Sequence, residues 1–196
     1  MTYVGIIVTF VLVNNFVLTY FLGLCPVLGA SRRAGTSAGL GLAATFLMAV
    51  GSLATWTLRR LILVPLGLTF LQTIVFVIAI IALGHYLERL IQSVSPALHR
   101  SVGKYLPVVS TNCVVLGIAL VVARADYSAL ESLVAGASAG VGFLIVAVLV
   151  AAIREKLEIQ AIPRPLRGMP IAFITTGLMA LALLAFDQAF LQNLFG

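Results

Sequence analysis

Two cysteines are the residues of this sequence best suited to redox or metal chemistry. Cys25 stands in C-P-V-L-G and Cys113 in C-V-V-L-G, so both have the pattern C-x-x-L-G. A lone cysteine in an apolar stretch is usually a small hydrophobic side chain. The matching motifs weaken this interpretation, and a disulfide or a shared role as metal ligands are the alternatives to it.

A metal site needs more ligands than these two residues provide. Structural zinc and [2Fe-2S] clusters are usually held by four protein ligands. The histidines, His85 and His99, both lie in or near the third predicted loop, away from the cysteine motifs. Cys25 and Cys113 are therefore half of a site, and metal binding requires a second chain that contributes the other half.

The elements that position the cysteines are predicted from the distribution of charge. Only 18 of 196 residues are charged (12 Lys or Arg and 6 Asp or Glu), and 62% are hydrophobic. A soluble surface carries about 25–35% charged residues, so a water-soluble fold is excluded. Six charge-free runs remain, each close to or above the roughly 20 residues that cross a bilayer: 1–31, 34–58, 61–87, 105–123, 132–153 and 168–186. We predict an all-α membrane protein, a single domain over 1–196 with six transmembrane helices.

The basic residues predict how these helices are oriented. Alternate loops collect nine Lys or Arg on one side of the membrane and three on the other, the three being Arg59, Arg60 and Arg124. Since cations are retained on the cytoplasmic side, both termini are expected on the opposite side. The first cation is Arg32, so the first run lacks the basic start of a signal peptide and is expected to stay in the protein. The high pI reflects topology and contact with membrane lipid head groups, and nucleic-acid binding is not expected.

Two halves of about 1–100 and 101–196 are predicted to be inverted three-helix repeats, because three crossings reverse the chain direction. AGLGLAATF at 38–46 corresponds to AGASAGVGF at 135–143, and LTFLQT at 68–73 corresponds weakly to IAFITT at 171–176. The cysteine motifs recur in the same order. Small-residue pairs at Gly35/Gly39 and Gly136/Gly140 predict close helix packing.

The depth of the cysteines predicts interrupted helices. Cys113 follows Lys104 by nine residues, which places it about 13–14 Å into the membrane. A straight first helix from Tyr3 would carry Cys25 about 33 Å, to the opposite boundary. A discontinuous first helix, broken near Asn14, Asn15 and Gly23, would bring Cys25 inward. We expect the first and fourth helices to be discontinuous.

Four longer segments carry a resemblance to a known family. LVNNFVLTYFLGLCPVLG at 12–29, LPVVSTNCVVLG at 106–117, AAIREKL at 151–157 and RGMPIAFITTGLMALA at 167–182 resemble the A subunit of Rnf electron transport complexes. They are less similar to the D and E membrane subunits of sodium-pumping NADH:quinone oxidoreductases. The resemblance spans nearly the whole chain.

The resemblance implies a specific function. Rnf complexes of the bacterial cytoplasmic (inner) membrane move electrons between ferredoxin and NAD and couple this to sodium ion or proton movement. It implies that Cys25 and Cys113 are ligands of a [2Fe-2S] cluster shared with the homologous E subunit, inserted in the opposite orientation. The B, C, D and G subunits would be the other partners. No complete active site is expected in this chain alone.

Four polar residues near the cysteines have two interpretations. Asn14, Asn15, Thr111 and Asn112 would either bond neighbouring helices or donate hydrogen bonds near the cluster sulfurs. Asp and Glu are absent from the six runs, which disfavours a carboxylate proton relay. Two alternative functions remain. One is a small secondary transporter, and the other is a passive scaffold in which both cysteines are replaceable.

Overall fold

The computed structural model describes residues 3–13, 15–29, 34–65, 67, 69–94, 106–125, 127–160, 163 and 166–195. The regular secondary structure within these ranges is entirely helical. The helices are α1 (Tyr3–Val8), α2 (Leu24–Gly29), α3 (Ala34–Leu58), α4 (Gln72–Val94), α5 (Leu106–Ser110), α6 (Cys113–Arg124), α7 (Ala129–Ile159) and α8 (Met169–Phe195). Wider π-helical turns extend α1 over Thr9–Val13 and α3 over Arg59–Leu63, and a 3-10 turn, Thr69–Leu71, precedes α4.

Several of these helices are long and apolar enough to cross a membrane. In the part of the chain that the structure describes, the segments with sufficient length and hydropathy are Gly35–Leu63, Gln72–Arg89 and Ala129–Leu157. Cys113–Arg124 and Met169–Ala182 are apolar but shorter. The prediction of an all-helical chain is confirmed. The six crossings, the inverted repeats and the side on which the termini lie remain predictions.

Both predicted interruptions are present. The first run is divided into α1 with its π turn, a non-helical stretch and α2, and the run 105–123 is divided into α5 and α6. The run 34–58 coincides with α3.

The charge-free run 61–87 and the helix that overlaps it have different bounds. α4 begins only at Gln72 and continues to Val94. Pro65 follows the π turn, and Gly67 has a positive φ of 66° that a right-handed helix cannot accommodate. A helix therefore cannot run continuously from residue 61.

A capping box, and not the edge of the charge-free run 132–153, sets the start of α7. Ser128 Oγ accepts a hydrogen bond from the Glu131 backbone N–H at 3.4 Å. The Ser128 backbone N–H in turn donates to Glu131 Oε2 at 2.9 Å. Because these bonds satisfy N–H groups that the first helical turn leaves unpaired, the helix begins at Ala129 with an acidic residue in its first turn.

The core of the protein is an antiparallel pair formed by α3 and α7. Gly41 packs so closely on Leu144 that a Cβ would lie 2.9 Å from the Leu144 Cα, and Gly140 meets Thr45 in the same way. Gly136 lies against Met48 and Ser52. Small residues permit this approach and gain van der Waals contact where lipid provides no hydrophobic driving force. Gly136 and Gly140 thus pack as predicted, whereas a Cβ on Gly35 would meet nothing within 4 Å, so the prediction for Gly35 is wrong.

Replacing Gly140 by alanine should force α3 and α7 apart. The added methyl group would collide with the Thr45 backbone, and overpacking of this kind costs about 1–3 kcal/mol of the free energy of unfolding. We expect a lower thermal unfolding temperature of the detergent-solubilised protein. Gly177→Ala in α8 is the matched control, because a Cβ there meets nothing within 4 Å. Equal unfolding temperatures for the two variants would contradict this packing.

Candidate functional site

The first interruption is stabilised by Asn15, which is 4% exposed. Its Nδ2 donates to the carbonyl oxygens of Val11, at 3.3 Å, and of Gly142 in α7, at 3.1 Å. Its Oδ1 accepts from the Val17 backbone N–H at 3.1 Å. The side chain thus pairs backbone groups that the broken helix leaves free and ties the break to α7. The bond to Gly142 agrees with the first of the two interpretations of Asn15, in which it bonds a neighbouring helix.

The chain then turns back through residues 16–23. The Leu22 N–H donates to the Phe16 carbonyl at 3.0 Å, which closes a wide turn. Phe21 and Gly23 both have positive φ, 52° and 81°. The second helical segment, α2, begins at Leu24, so Cys25 lies in its first turn.

The second interruption is shorter and is built on Asn112. This residue has an extended backbone (φ −78°, ψ 131°), and its Oδ1 accepts from the Val114 N–H at 3.2 Å. Asn112 is therefore the N-cap of α6, and Cys113 is the first residue of that helix. Each cysteine thus lies in the first turn of the helix that follows an interruption.

A hydrogen bond joins the two interruptions. The Gly23 backbone N–H donates to Cys113 Sγ, with an N···S distance of 3.1 Å, across 90 residues of sequence. Cys25 is two residues beyond Gly23 and so lies within about 7 Å of it along the chain. The structure therefore brings the two cysteine motifs together.

Gly23 fits this place because it has no side chain. A Cβ on Gly23 would collide with the Val114 side chain and would lie 3.0 Å from the Phe143 ring. Its left-handed backbone also disfavours other residue types. From the sequence, Gly23 was expected only to break the helix, and the role of its N–H as a donor to sulfur was missed. Its position two residues before a cysteine was the available signal.

Both cysteines are free thiols, and both are exposed on the surface of this chain. The disulfide considered from the sequence is therefore absent. Within the described residues, no group of three or more His, Cys, Asp or Glu is arranged to hold a metal ion. The chain thus presents two thiols at a surface that a second molecule can approach.

The depth of this region follows from helix lengths. Tyr3–Val13, the first helical segment with its π turn, rises about 16 Å, and α6 from Cys113 to Arg124 rises about 18 Å. The hydrocarbon core is about 30 Å thick, so both interruptions fall near its middle if the two segments end at the same membrane surface. The interruption of the first helix thereby removes the mismatch in depth that a straight helix would create.

The four polar residues predicted near the cysteines have different environments. Asn14 lies outside the described residues. The Asn15 amide bonds the backbone groups given above. Thr111 is exposed, and its Oγ1 donates to the Val108 carbonyl at 3.3 Å. Asn112 contacts a cysteine directly, its Oδ1 lying 3.6 Å from Cys113 Sγ. Its Nδ2 is buried, with no hydrogen-bond partner among the described residues.

Comparison with known proteins decides the family. The family described as "Rnf-Nqr subunit, membrane protein" matches residues 3–189. The chain belongs to the Rnf-Nqr family. The matched range includes both interrupted helices and both cysteines, and the membrane location expected from the composition is confirmed by the family's description.

Individual Rnf-Nqr relatives match over nearly their full length. The A subunit of the Na(+)-translocating ferredoxin:NAD(+) oxidoreductase complex of Acetobacterium woodii is 46% identical over 187 residues, covering 95% of this chain and 97% of the relative. The A subunit of the ion-translocating oxidoreductase complex of Edwardsiella ictaluri is 47% identical over 185 residues, 94% of this chain and 96% of the relative. The corresponding protein of Pseudomonas paraeruginosa is 47% identical over 183 residues, 93% and 94% respectively. The resemblance seen in the sequence motifs is thereby confirmed.

Replacing Gly23 by alanine should separate the two cysteine motifs of this Rnf-Nqr protein. In the wild-type chain we expect a short bifunctional thiol reagent to link Cys25 to Cys113 within one molecule. Gly23→Ala should reduce this yield several-fold, because the methyl group collides with Val114 and displaces the N–H from Cys113 Sγ. Gly67→Ala is the matched control, since Gly67 also has positive φ but faces open space. A yield unchanged by Gly23→Ala would show that the contact does not hold the motifs together.

Proposed function

We propose that this chain is an electron-carrying membrane subunit of an ion-translocating ferredoxin:NAD oxidoreductase complex. In this proposal Cys25 and Cys113 are two of the four ligands of a [2Fe-2S] cluster, and a homologous sister subunit contributes the other two. The observation that carries the proposal is the Gly23 N–H to Cys113 Sγ bond, which joins the cysteine motifs of two interrupted helices. The names of the relatives support the assignment to such a complex.

The number and exposure of the ligands support a shared site. A [2Fe-2S] cluster needs four ligands, and the described part of this chain has two cysteines and no larger group of metal-binding side chains. Both thiols lie at the surface of the chain. In a bundle that kept the cluster to itself, two exposed sulfurs would face lipid, which cannot complete the coordination.

Two features beside Cys113 favour negative charge on its sulfur. The Gly23 N–H dipole points at Sγ, and Cys113 begins a twelve-residue helix whose first N–H groups carry partial positive charge. Hydrogen bonds to sulfur stabilise the more negative, reduced form of a cluster and so raise its reduction potential. Val114 and Phe143 pack around Gly23 and limit access of water to this bond.

The role of this chain is to hold and position the electron carrier within the membrane. When bound, a [2Fe-2S] cluster accepts and releases one electron at a time, so no covalent bond of the protein is made or broken. Asn15 and Asn112 hold the two interruptions in shape by pairing backbone groups. An electron could then pass between donors and acceptors on opposite sides of a barrier of about 30 Å.

The electron transfer is proposed to be coupled to movement of a sodium ion or proton. The charge-free runs of this chain contain no Asp or Glu, so a relay of side-chain carboxylates does not run through them. His85 does not replace such a relay, because its exposed side chain lies 3.8 Å from Glu88 in α4, near the end of the charge-free run. In this proposal the ion route uses backbone carbonyls at interrupted helices or the neighbouring subunits.

Cys25→Ser and Cys113→Ser should each abolish the cluster in the purified complex. A serine hydroxyl is a poor replacement for thiolate, so we expect the iron content to fall by about two atoms per complex and one [2Fe-2S] signal to vanish from the reduced electron paramagnetic resonance spectrum. Val108→Ser is the matched control. It places the same hydroxyl on an exposed side chain five residues before Cys113 without removing a thiol, and it should leave iron and spectrum unchanged.

An unchanged cluster signal in both cysteine variants would contradict the proposal. Retained electron transfer from ferredoxin to NAD in the absence of both thiols would favour a scaffold instead. Uptake of an ion or solute by the chain alone in liposomes, unaffected by the cysteine changes, would favour a transporter.

A further inference from the structure

Two neighbouring cavities lie at one end of the helices, and neither is lined by a cysteine. The larger, of about 370 Å³, is lined by Trp56, Arg59, Arg60, Val64 and Tyr127. The smaller, of about 220 Å³, is lined mainly by aromatic and aliphatic side chains, among them Phe10, Phe16, Tyr20 and Tyr127. Tyr127 lines both, so the two spaces adjoin.

The larger cavity has the chemistry of an anion site. Arg59 and Arg60 both line it, and they are the first two residues of the π-helical turn Arg59–Leu63. The Val64 N–H closes this wider turn on the Arg59 carbonyl at 3.0 Å. Guanidinium groups provide planar sets of N–H donors that match phosphate oxygens. Such π turns often occur at functional positions.

The wall of the larger cavity is held by a hydrogen bond from a side chain to the backbone. The Trp56 indole N–H donates to the Tyr127 carbonyl at 2.6 Å, which ties the end of α3 to the residues before α7. Tryptophan and tyrosine are enriched where a membrane protein meets the head groups. The two arginines also end the apolar run of α3. The cavity therefore lies at the depth of lipid phosphates.

The smaller cavity has the chemistry of a site for hydrocarbon. Phe10 and Phe16 are stacked with ring centroids 6.1 Å apart, and Phe16 and Tyr20 are 5.7 Å apart. Phe10 and Phe16 are buried, so this wall is fixed by the core. Thr9 contributes the main polar side chain besides the two tyrosines.

We propose that the two cavities form one site for a phospholipid. The phosphodiester binds Arg59 and Arg60 beside Trp56, and the first part of an acyl chain lies along the aromatic wall next to Tyr127. A polar and an apolar compartment side by side match an amphipathic ligand, whereas a soluble phosphate would use only the first. The charge suffices for a phosphodiester. Arg59 and Arg60 contribute two positive charges, and a phosphodiester carries one negative charge.

The lipid would contact the interrupted segment of the first helix. Phe16 and Tyr20 belong to residues 15–23, which also contain Gly23. An occupied site would therefore brace this non-helical segment. The proposal is independent of the cluster, since the site exists whether or not Cys25 and Cys113 bind iron.

Native mass spectrometry of the detergent-purified, delipidated complex tests the site with three added probes. These are phosphatidylglycerol, a diacylglycerol with the same acyl chains, and inorganic phosphate. We expect a retained phosphatidylglycerol adduct and little of the other two. Equal retention of diacylglycerol would show that the arginines are not used. Retention of inorganic phosphate with no preference for phosphatidylglycerol would show a soluble-anion site. Either result, obtained with the unmodified protein, would overturn the proposal.

Variants of the complex locate the adduct. Arg59→Gln/Arg60→Gln should lower its occupancy about tenfold, because two charge-assisted hydrogen bonds to phosphate are lost. Arg60→Gln alone should lower the occupancy of the adduct by a smaller factor. This single variant replaces the double variant in the test if the double variant does not fold. Arg124→Gln is the matched control, an arginine at the end of α6 that does not line either cavity. Equal occupancy in Arg60→Gln and Arg124→Gln would overturn the assignment to these cavities.

Discussion

In the apolar interior of a membrane, a broken helix leaves backbone N–H and C=O groups that lipid cannot pair, and each unpaired group costs several kcal/mol. This constraint governs the centre of the protein, where two interrupted helices meet. Asn15 pairs groups of the first interruption and Asn112 caps the helix after the second. The Gly23 N–H, another freed donor, is paired with a sulfur instead of an oxygen. The need to pair the backbone groups freed by the interruptions thus also brings the cysteine motifs together.

The packing of α3 against α7 makes this arrangement possible. The pair is held by close contacts at Gly41, Gly136 and Gly140, which keep the two long helices in fixed register. α7 then presents the Gly142 carbonyl to Asn15 and the Phe143 ring to Gly23. Consecutive residues of one helix therefore support both sides of the non-helical segment. A shift of α7 along α3 would disturb Asn15 and Gly23 together.

Much of this could be predicted from the sequence, because charge and apolar length dominate in a membrane. The run 34–58 coincided with α3, and the asparagines and glycines near Cys25 predicted the interruption. The start of α4 could not be read from charge, since Pro65 and Gly67 act through backbone geometry. The Gly23 contact with Cys113 spans 90 residues and depends on tertiary packing, so local sequence did not reveal it. The surface exposure of both thiols also depends on tertiary packing, and it is the feature that makes sharing with a second chain the better interpretation.

The most direct test of the central claim compares this chain alone with the chain co-purified with its homologous sister subunit. Iron content and the reduced electron paramagnetic resonance spectrum would be measured for both preparations. A shared site predicts about two iron atoms and one [2Fe-2S] signal per pair, and neither in the chain alone. A complete cluster in the isolated chain, or a correctly assembled pair without iron, would contradict the account.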